Sequence, residues 1–371
     1  SVHSSSDGQV IAIAQPYADT WQGRVTVMRY NDLSGEWQQM GQLINELNSE
    51  GKDDEHGKRV KLSNNGKRML LDANWWGEQK GKVSLLDYNE ETDLWEFKDV
   101  TFGEFLYDDY SKSVEFSLDD TRISIGADGN GRNGVGFVNV FDIVDGSFVQ
   151  VGETIRPNDL SPDKRSSFGY EHVITEDGSR IIISAKDAYT PYINIYDLSD
   201  NVWVKQESMT LEGAPGSEFG KDMKFMDNEE CLVVSAPSLL YGTGEVYLYK
   251  LINNEYILQT AIHGENGKTD SNFGDYLIAS NYTVVLKDNS NTEDSANFET
   301  LKLTYSEVEP SNNLLPTTYA LPLLAEGVQN WTRMGSDIIT TLGGYSDEKK
   351  VLAKSNTDGT IIVTADNVEE Q

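Results

Sequence analysis

The amino-acid sequence predicts an all-β protein, a β-propeller built from four-stranded antiparallel blades. Three observations predict this fold. A turn followed by an apolar strand recurs along the chain, an alternating strand follows each apolar strand, and a strand with a large aromatic residue comes next. Self-similarity at about 50 residues is typical of propellers, in which each repeat supplies one small sheet.

The apolar strand is the clearest member of the repeat. It follows a turn rich in Asp, Asn and Gly, such as Asp177-Gly178 before the apolar residues 181–185. These turns begin at positions 7, 65, 119, 177, 228, about 281 and 358, in steps of 58, 54, 58, 51, 53 and 77. Since the strand is apolar on both faces, it indicates an inner position between two neighbouring sheets.

Three further strands complete each unit. One alternates, often after Gly, as in Gly136, Val138 and Val140, and the next carries an aromatic residue at 37, 95, 148, 203, 256 or 331. A short strand precedes each turn and is led by Phe-Gly at 168–169, 219–220 and 273–274, or by the degenerate pairs His56-Gly57 and Tyr110-Ser111. Each unit is therefore predicted to be four short antiparallel strands joined by turns.

The whole chain is predicted to form a single propeller domain, residues 1–371. The predicted units span about 1–57, 58–111, 112–169, 170–220, 221–274 and 275–350, with a partial unit at 351–371. The number of apolar strands favours seven blades with the last one incomplete, and six closed blades are the alternative. An incomplete blade leaves an open sheet edge, which predicts cover by another segment or chain.

The repeat resembles a known family. A Phe-Gly pair, a turn, an apolar strand ending in Gly126-Ala127 or Ser235-Ala236, and a strand such as Val246-Tyr247-Leu248 are similar to the FG-GAP repeats of integrin α-chain propellers. The resemblance implies the propeller fold. The Asp-rich Ca²⁺ loop of that family is not matched by the short turns of this chain, so the resemblance implies no calcium in these hairpins.

The charge of the chain excludes one class of partner. Thirty Lys and Arg residues stand against 61 Asp and Glu residues, a formal net charge of −31. Nucleic acids bind clustered basic residues, so we expect no nucleic-acid partner. No apolar run reaches the roughly 18 residues of a membrane span.

Several features favour a secreted, cell-surface or lumenal location. The chain starts at Ser1 and not at Met, which predicts a processed or incomplete chain. Asn281 and Asn330 each begin a sequon for N-glycosylation. An acidic composition agrees with this location, although none of these features is specific to it.

The chemistry-bearing residues do not form a recognised catalytic motif. The four histidines, at 3, 56, 172 and 263, have no metal-site spacing and are predicted to be structural or solvated. One loop, with Asp288, Ser290, Thr292 and Asp294, has oxygen side chains at alternate positions as a Ca²⁺ site requires. It lacks the central Gly of a tight calcium loop, so a solvated loop is the alternative. No cofactor is predicted apart from this calcium.

Aromatic residues cluster in the loops that join the second and third strands of the units. In a propeller these loops emerge on one face, where flat rings suit a protein or glycan ligand. Packing of the rings on their own loops is the alternative. The predicted binding residues are Tyr17, Trp21, Trp75, Trp76, Tyr189, Tyr192 and Tyr241.

Two functions of different classes follow from these patterns. The first is a non-enzymatic binding or scaffold propeller that recognises a protein or glycan, or acts as a subunit of a larger assembly. The alternative is a carboxylate-based hydrolase or lyase acting on a carbohydrate. Two acids that converge in a pocket with separated pKa values would favour the enzyme, whereas dispersed carboxylates and a flat aromatic rim would favour binding.

Overall fold

The fold prediction is confirmed by the computed structural model, in which the chain forms small antiparallel sheets of the propeller type. The structure describes residues 1–18, 23–45, 56–73, 76–104, 108–117, 119–129, 135–157, 166–187, 189–226, 229–263, 272–279, 283–288, 295–305, 329–333, 338–341, 352–354 and 363–365. Within these ranges each sheet follows chain order, with the first strand of a unit at one edge and the fourth at the other.

The first three sheets are each formed by consecutive strands. The first contains β1 (Val2–Ser4), β2 (Val10–Gln15), β3 (Arg24–Asn31), β4 (Glu36–Gln39) and β5 (Ile44–Asn45). The second contains β6 (His56–Leu62), β7 (Arg68–Ala73), β8 (Lys82–Asn89) and β9 (Leu94–Phe102). The third contains β10 (Tyr110–Phe116), β11 (Arg122–Ala127), β12 (Phe137–Val144) and β13 (Ser147–Gln150).

The later sheets follow the same plan. The fourth contains β14 (Phe168–Ile174), β15 (Arg180–Ala185), β16 (Tyr192–Ser199), β17 (Val202–Lys205) and β18 (Leu211–Glu212). The fifth contains β19 (Met223–Met226), β20 (Cys231–Ala236), β21 (Glu245–Ile252) and β22 (Glu255–His263). The sixth contains β23 (Leu277–Ala279), β24 (Thr283–Asp288), β25 (Ser295–Tyr305), β26 (Gln329–Arg333) and β27 (Ile338–Thr341). A two-stranded sheet contains β28 (Leu352–Lys354) and β29 (Val363–Ala365).

Helical structure is limited to short turns between strands. They span Trp76–Gln79, Glu207–Met209 and Leu239–Gly242 in the described part of the chain. Within that part, none has the length and apolar character that a membrane-crossing helix needs.

The core lies between successive sheets, as the apolar second strands predict. In β15, Ile181 and Ile183 pack into the core shared with the third sheet, whereas Ile182 packs into the core shared with the fifth. All three side chains are fully buried. Burial on both faces explains why the sequence of this strand is a continuous apolar run and does not alternate between apolar and polar residues.

The first strands of the sheets lie side by side at the centre of the molecule. β1 contacts β6, β6 contacts β10, β10 contacts β14, β14 contacts β19, and β19 contacts β23. The strand β28 lies against β1, so the last sheet meets the first. This arrangement brings side chains from widely separated parts of the sequence to one central cavity.

Two tryptophans on fourth strands form hydrogen bonds to the preceding sheet. Trp95 donates its Nε1–H to the carbonyl oxygen of Met40 at 3.0 Å, and Trp203 donates to Val151 in the same way at 3.0 Å. Gly152 follows Val151 with a φ of +68°, and a Cβ there would lie 2.9 Å from the Trp203 ring. The recurring tryptophan thus supplies a specific hydrogen bond between sheets in addition to apolar contact.

Candidate active site

A central cavity of about 170 Å³ lies between the first strands of the sheets. Its lining comprises Ser1, Val2, His3, Arg59, Val60, Lys61, Leu70, Asp72, Val83, Lys112, Ser113, Val114, Glu115, Glu171 and Tyr276. These residues come from the first, second, third, fourth and sixth units of the repeat. The volume is below the ~300 Å³ of a drug-sized pocket, so the cavity suits a small molecule.

A β-bulge at the Phe-Gly pair turns the cavity residues toward the centre. The pairing between β14 and β15 shifts between Phe168 and His172, and the same shift occurs in the two preceding sheets. Gly169 has a φ of +84°, and a Cβ there would lie 2.5 Å from the carbonyl oxygen of Phe137. Glycine fits this position because it tolerates the left-handed backbone and the close approach of the neighbouring strand.

Two lysines join three carboxylates beside the cavity. Lys61 Nζ lies 2.5 Å from a carboxylate oxygen of Glu115. Lys224 Nζ lies 2.6 Å from Asp222 and 3.1 Å from Glu171. The backbone N–H of Leu277 donates to the second oxygen of Asp222 at 2.8 Å. These contacts involve five first strands, β6, β10, β14, β19 and β23. They hold the carboxylates in place, since each bond involves a charged group.

The pKa values of the two cavity glutamates are shifted in opposite directions. Burial raises the pKa of Glu171 to about 7, and the negative charges of Asp222 and Glu115 add to this effect. Burial alone would also raise the pKa of Glu115, but the positive charges of Lys61 and Lys224 outweigh it and hold that pKa below its ordinary value. At neutral pH the cavity therefore offers one carboxyl group that keeps a proton part of the time and one that is ionised.

Asp72 is a third carboxyl group in the cavity wall. It accepts hydrogen bonds from the backbone N–H of Arg59 at 2.7 Å and from the Ser111 hydroxyl at 3.2 Å. Burial raises its pKa to about 6, against the opposing charge of Arg59. Since its side chain is almost fully enclosed, Asp72 orients the strand that carries Arg59.

A buried histidine lies directly behind the cavity. His172 Nδ1 lies 2.5 Å from the Ser113 hydroxyl oxygen, and His172 Nε2 lies 2.8 Å from that of Ser124. The equivalent positions of the repeat carry apolar residues, such as Val114 for His172 and Ile182 for Ser124. Burial lowers the pKa of His172 to about 4, so the ring is neutral at physiological pH. The network ties β14 to β10 and β11, next to the two glutamates.

The predicted aromatic surface is only partly assembled. Tyr189 and Tyr241 are 87% and 88% exposed in loops between second and third strands, and Tyr17 is 40% exposed in a loop of the same type. The Trp76 ring packs on Phe102 with ring centroids 4.7 Å apart, and Tyr192 lies in β16, half-buried against the core. Trp21 and Trp75 lie outside the described residues.

The predicted calcium loop falls largely outside the described residues. Asp288 is the last residue of β24, whereas Ser290, Thr292 and Asp294 belong to a segment that the structure does not describe. Among the described residues, no group of three or more His, Cys, Asp or Glu side chains is arranged to hold a metal ion.

Sequence reasoning missed the charged residues of the cavity. The signal was present in three of the short first strands, where the third and fifth residues after the leading Phe, Tyr or His are polar or charged, and in the fourth unit only the third residue, Glu171, is charged. Examples are Arg59 and Lys61, Ser113 and Glu115, and Asp222 and Lys224. Taken one unit at a time these residues look solvated. Their recurrence at the same two positions of the first strands is the pattern that could have indicated a shared site.

Comparisons with known proteins bear on the fold. No family model matches the chain, so the resemblance to FG-GAP repeats stays a prediction, and no curated protein matches its sequence. Solved structures with a similar fold include a Bacteroides fragilis protein provisionally assigned as a 6-phosphogluconolactonase. It is 13% identical, with 96% of this chain and 87% of that chain covered and a TM-score of 0.61.

Two other similar structures show how widely the fold is used. A Bacteroides uniformis protein with the same provisional assignment is 11% identical over 96% of this chain and 94% of that chain, with a TM-score of 0.60. Hydrazine synthase of Kuenenia stuttgartiensis is 11% identical over 80% of this chain and 75% of that chain, with a TM-score of 0.52. At such identities the likeness establishes the propeller fold alone.

The prediction of a non-enzymatic binding or scaffold propeller is wrong. Glu115 and Glu171 converge on one cavity with their pKa values shifted apart, which is the arrangement that separates an enzyme from a binding surface. Two of the proteins with a similar fold carry a provisional lactonase assignment of their own. The paired carboxyl groups fit the alternative, a carboxylate-based hydrolase or lyase acting on a carbohydrate, better than the main prediction.

Proposed function

We propose that the chain is a hydrolase that acts on a small carbohydrate in the central cavity, with a sugar lactone as the favoured substrate class. The observation that carries the proposal is the pair Glu115 and Glu171, which line one cavity with pKa values shifted in opposite directions. The provisional lactonase assignment of two proteins with a similar fold supports the choice of a lactone.

The two glutamates would divide the proton transfers of hydrolysis. Glu115 is held ionised by Lys61 and Lys224, so it can accept a proton from a water molecule as that water attacks the carbonyl carbon. Glu171, with a pKa of about 7, can donate a proton to the ring oxygen as the bond from that oxygen to the carbonyl carbon breaks. Water is consumed, and the product is the open-chain hydroxy acid.

The lysines contribute to this arrangement in different ways. Lys61 contacts Glu115 and fixes the direction of its carboxylate, because the two atoms lie only 2.5 Å apart. Lys224 lies between Glu171 and Asp222, and the shorter of its contacts is to Asp222. The charge of Lys224 lowers the pKa of Glu171, but burial outweighs it, so that pKa remains raised.

Substitution of the two glutamates tests the proposed function. We expect Glu171→Gln and Glu115→Gln each to lower kcat for D-glucono-1,5-lactone by about 10²- to 10⁴-fold, the usual contribution of a general acid or base. The rate above spontaneous hydrolysis is followed by the release of acid. Glu153→Gln is the matched control, because Glu153 is exposed and remote from the cavity lining.

The pH profile provides a second readout of the same experiment. Since Glu171 must be protonated to act as the acid, kcat/KM should fall as the pH rises through about 7. It should fall again at acidic pH, where Glu115 takes up a proton. A wild-type protein that adds nothing to the spontaneous hydrolysis of lactones, and that cleaves no aryl glycoside, would contradict the proposed function.

We further propose that the chain functions outside the cytoplasm, in a secreted, cell-surface or lumenal location. The support comes from the acidic composition and the two sequons. Asn330 lies on β26, and Asn281 lies outside the described residues. Mass spectrometry of peptides from the native protein checks the location, because a glycan on either asparagine requires passage through a secretory compartment.

A further inference from the structure

Basic side chains and carboxyl groups line the cavity in equal numbers. Three are basic, namely Arg59, Lys61 and Lys112, and three are carboxyl groups, namely Asp72, Glu115 and Glu171. Arg59 lies 3.6 Å from Asp72, and Lys61 lies 2.5 Å from Glu115. Each of these basic groups therefore has an internal counter-ion and does not need a charged ligand to neutralise it.

Lys112 is also held by other groups of the protein. Its Nζ lies 3.3 Å from Asp128 and 3.8 Å from Asp109. The same ammonium group lies over the ring of Tyr170, at 4.8 Å from the ring centroid. Lys112, at the edge of the cavity, therefore already has two carboxylates and an aromatic ring as partners.

Two more lysines surround the same tyrosine ring. Lys186 and Lys221 lie 4.3 Å and 5.8 Å from the ring centroid of Tyr170. Glu218 contacts both, at 3.3 Å from Lys186 and 3.5 Å from Lys221. Asp187, at 2.5 Å from Lys186, neutralises the cluster further. We define Lys112, Tyr170, Lys186, Lys221 and Glu218 as the lysine ring.

A phosphate group would find no uncompensated cation among these residues. To bind at Lys61, Lys112 or the lysine ring it would have to displace a carboxylate that stays nearby, and like charges placed together cost several kcal/mol. The net charge of −31 adds a long-range repulsion for any anion. Binding of a neutral sugar ring displaces no carboxylate and is not opposed by the net charge. The sugar hydroxyl groups can form hydrogen bonds with the same lysine and carboxylate side chains.

We propose that the central cavity selects a neutral, non-phosphorylated carbohydrate, and that the carboxylates paired with its lysines are what exclude a phosphorylated one. This inference rests on the proposed function and names its substrate class. It separates this chain from the phosphorylated substrate named for two proteins that share its fold.

The test compares D-glucono-1,5-lactone with its 6-phosphate on the full chain. We expect the wild-type kcat/KM to be at least about tenfold higher for the neutral lactone, as one unfavourable charge contact predicts. Asp128→Asn removes a counter-ion of Lys112, which lines the cavity, and should narrow this ratio at least about threefold. Glu153→Gln makes the same charge change on an exposed residue away from the cavity and should leave the ratio unchanged.

The outcomes separate the inference from the proposed function. Equal or better use of the phosphorylated lactone by the wild type overturns the inference and leaves the hydrolase function standing, and an unchanged ratio in Asp128→Asn has the same meaning. If the wild type hydrolyses neither lactone and cleaves no aryl glycoside, the proposed function is rejected, and binding then decides the inference. Stronger thermal stabilisation by D-glucose than by D-glucose 6-phosphate supports it, whereas the reverse order, or no stabilisation by either sugar, overturns it.

Discussion

At the scale of single residues, the third and fourth sheets depart from the repeat in one buried place. His172, Ser113 and Ser124 form a hydrogen-bonded group where the other units place apolar side chains or a residue that faces the cavity. A buried polar group is tolerated only when its partners are present. Departures from an otherwise consistent pattern are often found at functional sites, and this one adjoins Glu171.

A double-mutant cycle measures what this group contributes. We expect His172→Val alone to destabilise the fold by about 1–3 kcal/mol, because it leaves the Ser124 hydroxyl buried without its partner. The double variant His172→Val with Ser124→Ile restores the apolar pattern of the repeat and should be closer to the wild type than the single variant. Urea unfolding at pH 7 checks both values. A double variant less stable than His172→Val would contradict this account.

The pH dependence of stability gives an independent check of His172. Because burial lowers its pKa from 6.5 to about 4, the unfolded chain binds more protons than the folded chain between these values. The stability that neutral His172 contributes is therefore complete above pH 6.5 and is lost as the pH falls toward 4. The wild type should lose more stability than the double variant between pH 7 and pH 5. Equal losses in the two proteins would contradict the lowered pKa.

At the scale of the strand, the Phe-Gly bulge determines where the cavity residues point. The bulge inserts an unpaired stretch after Phe168 that includes Glu171, and pairing with β15 resumes at His172 in a shifted register. The same device recurs at His56-Gly57 and Tyr110-Ser111. The side chains of Arg59, Ser113 and Glu171 occupy equivalent places in these strands.

Two glycine substitutions separate backbone strain from steric contact. Gly169 and Gly216 both have a positive φ, but a Cβ at Gly169 would lie 2.5 Å from a backbone oxygen, whereas nothing lies within 4 Å of one at Gly216. We expect Gly216→Ala to lower the free energy of unfolding by about 1 kcal/mol, from backbone strain alone. Gly169→Ala should lower it by about 2–4 kcal/mol. Chemical denaturation checks the difference. Equal costs at the two positions would show that the close approach of β12 is not rigid.

At the scale of the whole molecule, the loops between second and third strands share one face with the lysine ring. Lys186 belongs to the loop that carries Tyr189, and Ser238, which donates to Glu218 at 2.8 Å, precedes Tyr241. The exposed tyrosines therefore flank the side of the molecule on which the lysine ring lies. Flat rings in this position suit stacking against a sugar.

The exposed tyrosines provide a test of this face. We expect Tyr189→Ala and Tyr241→Ala each to raise KM for the carbohydrate about three- to tenfold with little change in Tm, since both rings are almost fully exposed. Leu33→Ala is the control, because Leu33 is fully exposed in the turn between β3 and β4, on the opposite face. An unchanged KM in both tyrosine variants, or an equal effect at Leu33, would remove the tyrosines from the site.

Much of the fold could be predicted because the units repeat the same short sequence pattern. Each of its features depends on interactions within one unit or between two neighbouring units. These features are the Asp-Gly turns, the strands that are apolar on both faces and the tryptophans of the fourth strands. The structure confirms the four-stranded antiparallel sheets and adds the hydrogen bonds from Trp95 and Trp203 to the preceding sheet. The candidate site could not be predicted in the same way, because Lys61, Glu115 and Lys224 are separated by more than 50 residues at each step.

The sequence by itself determined the class of fold and the strand order within the units. These properties depend on local periodicity, turn chemistry and composition. Only the tertiary structure decided that charged residues of the inner strands meet in one cavity and that Glu115 and Glu171 have opposite pKa shifts there. Burial and the electrostatic field of a site depend on which strands become neighbours, and the closure of the ring determines that.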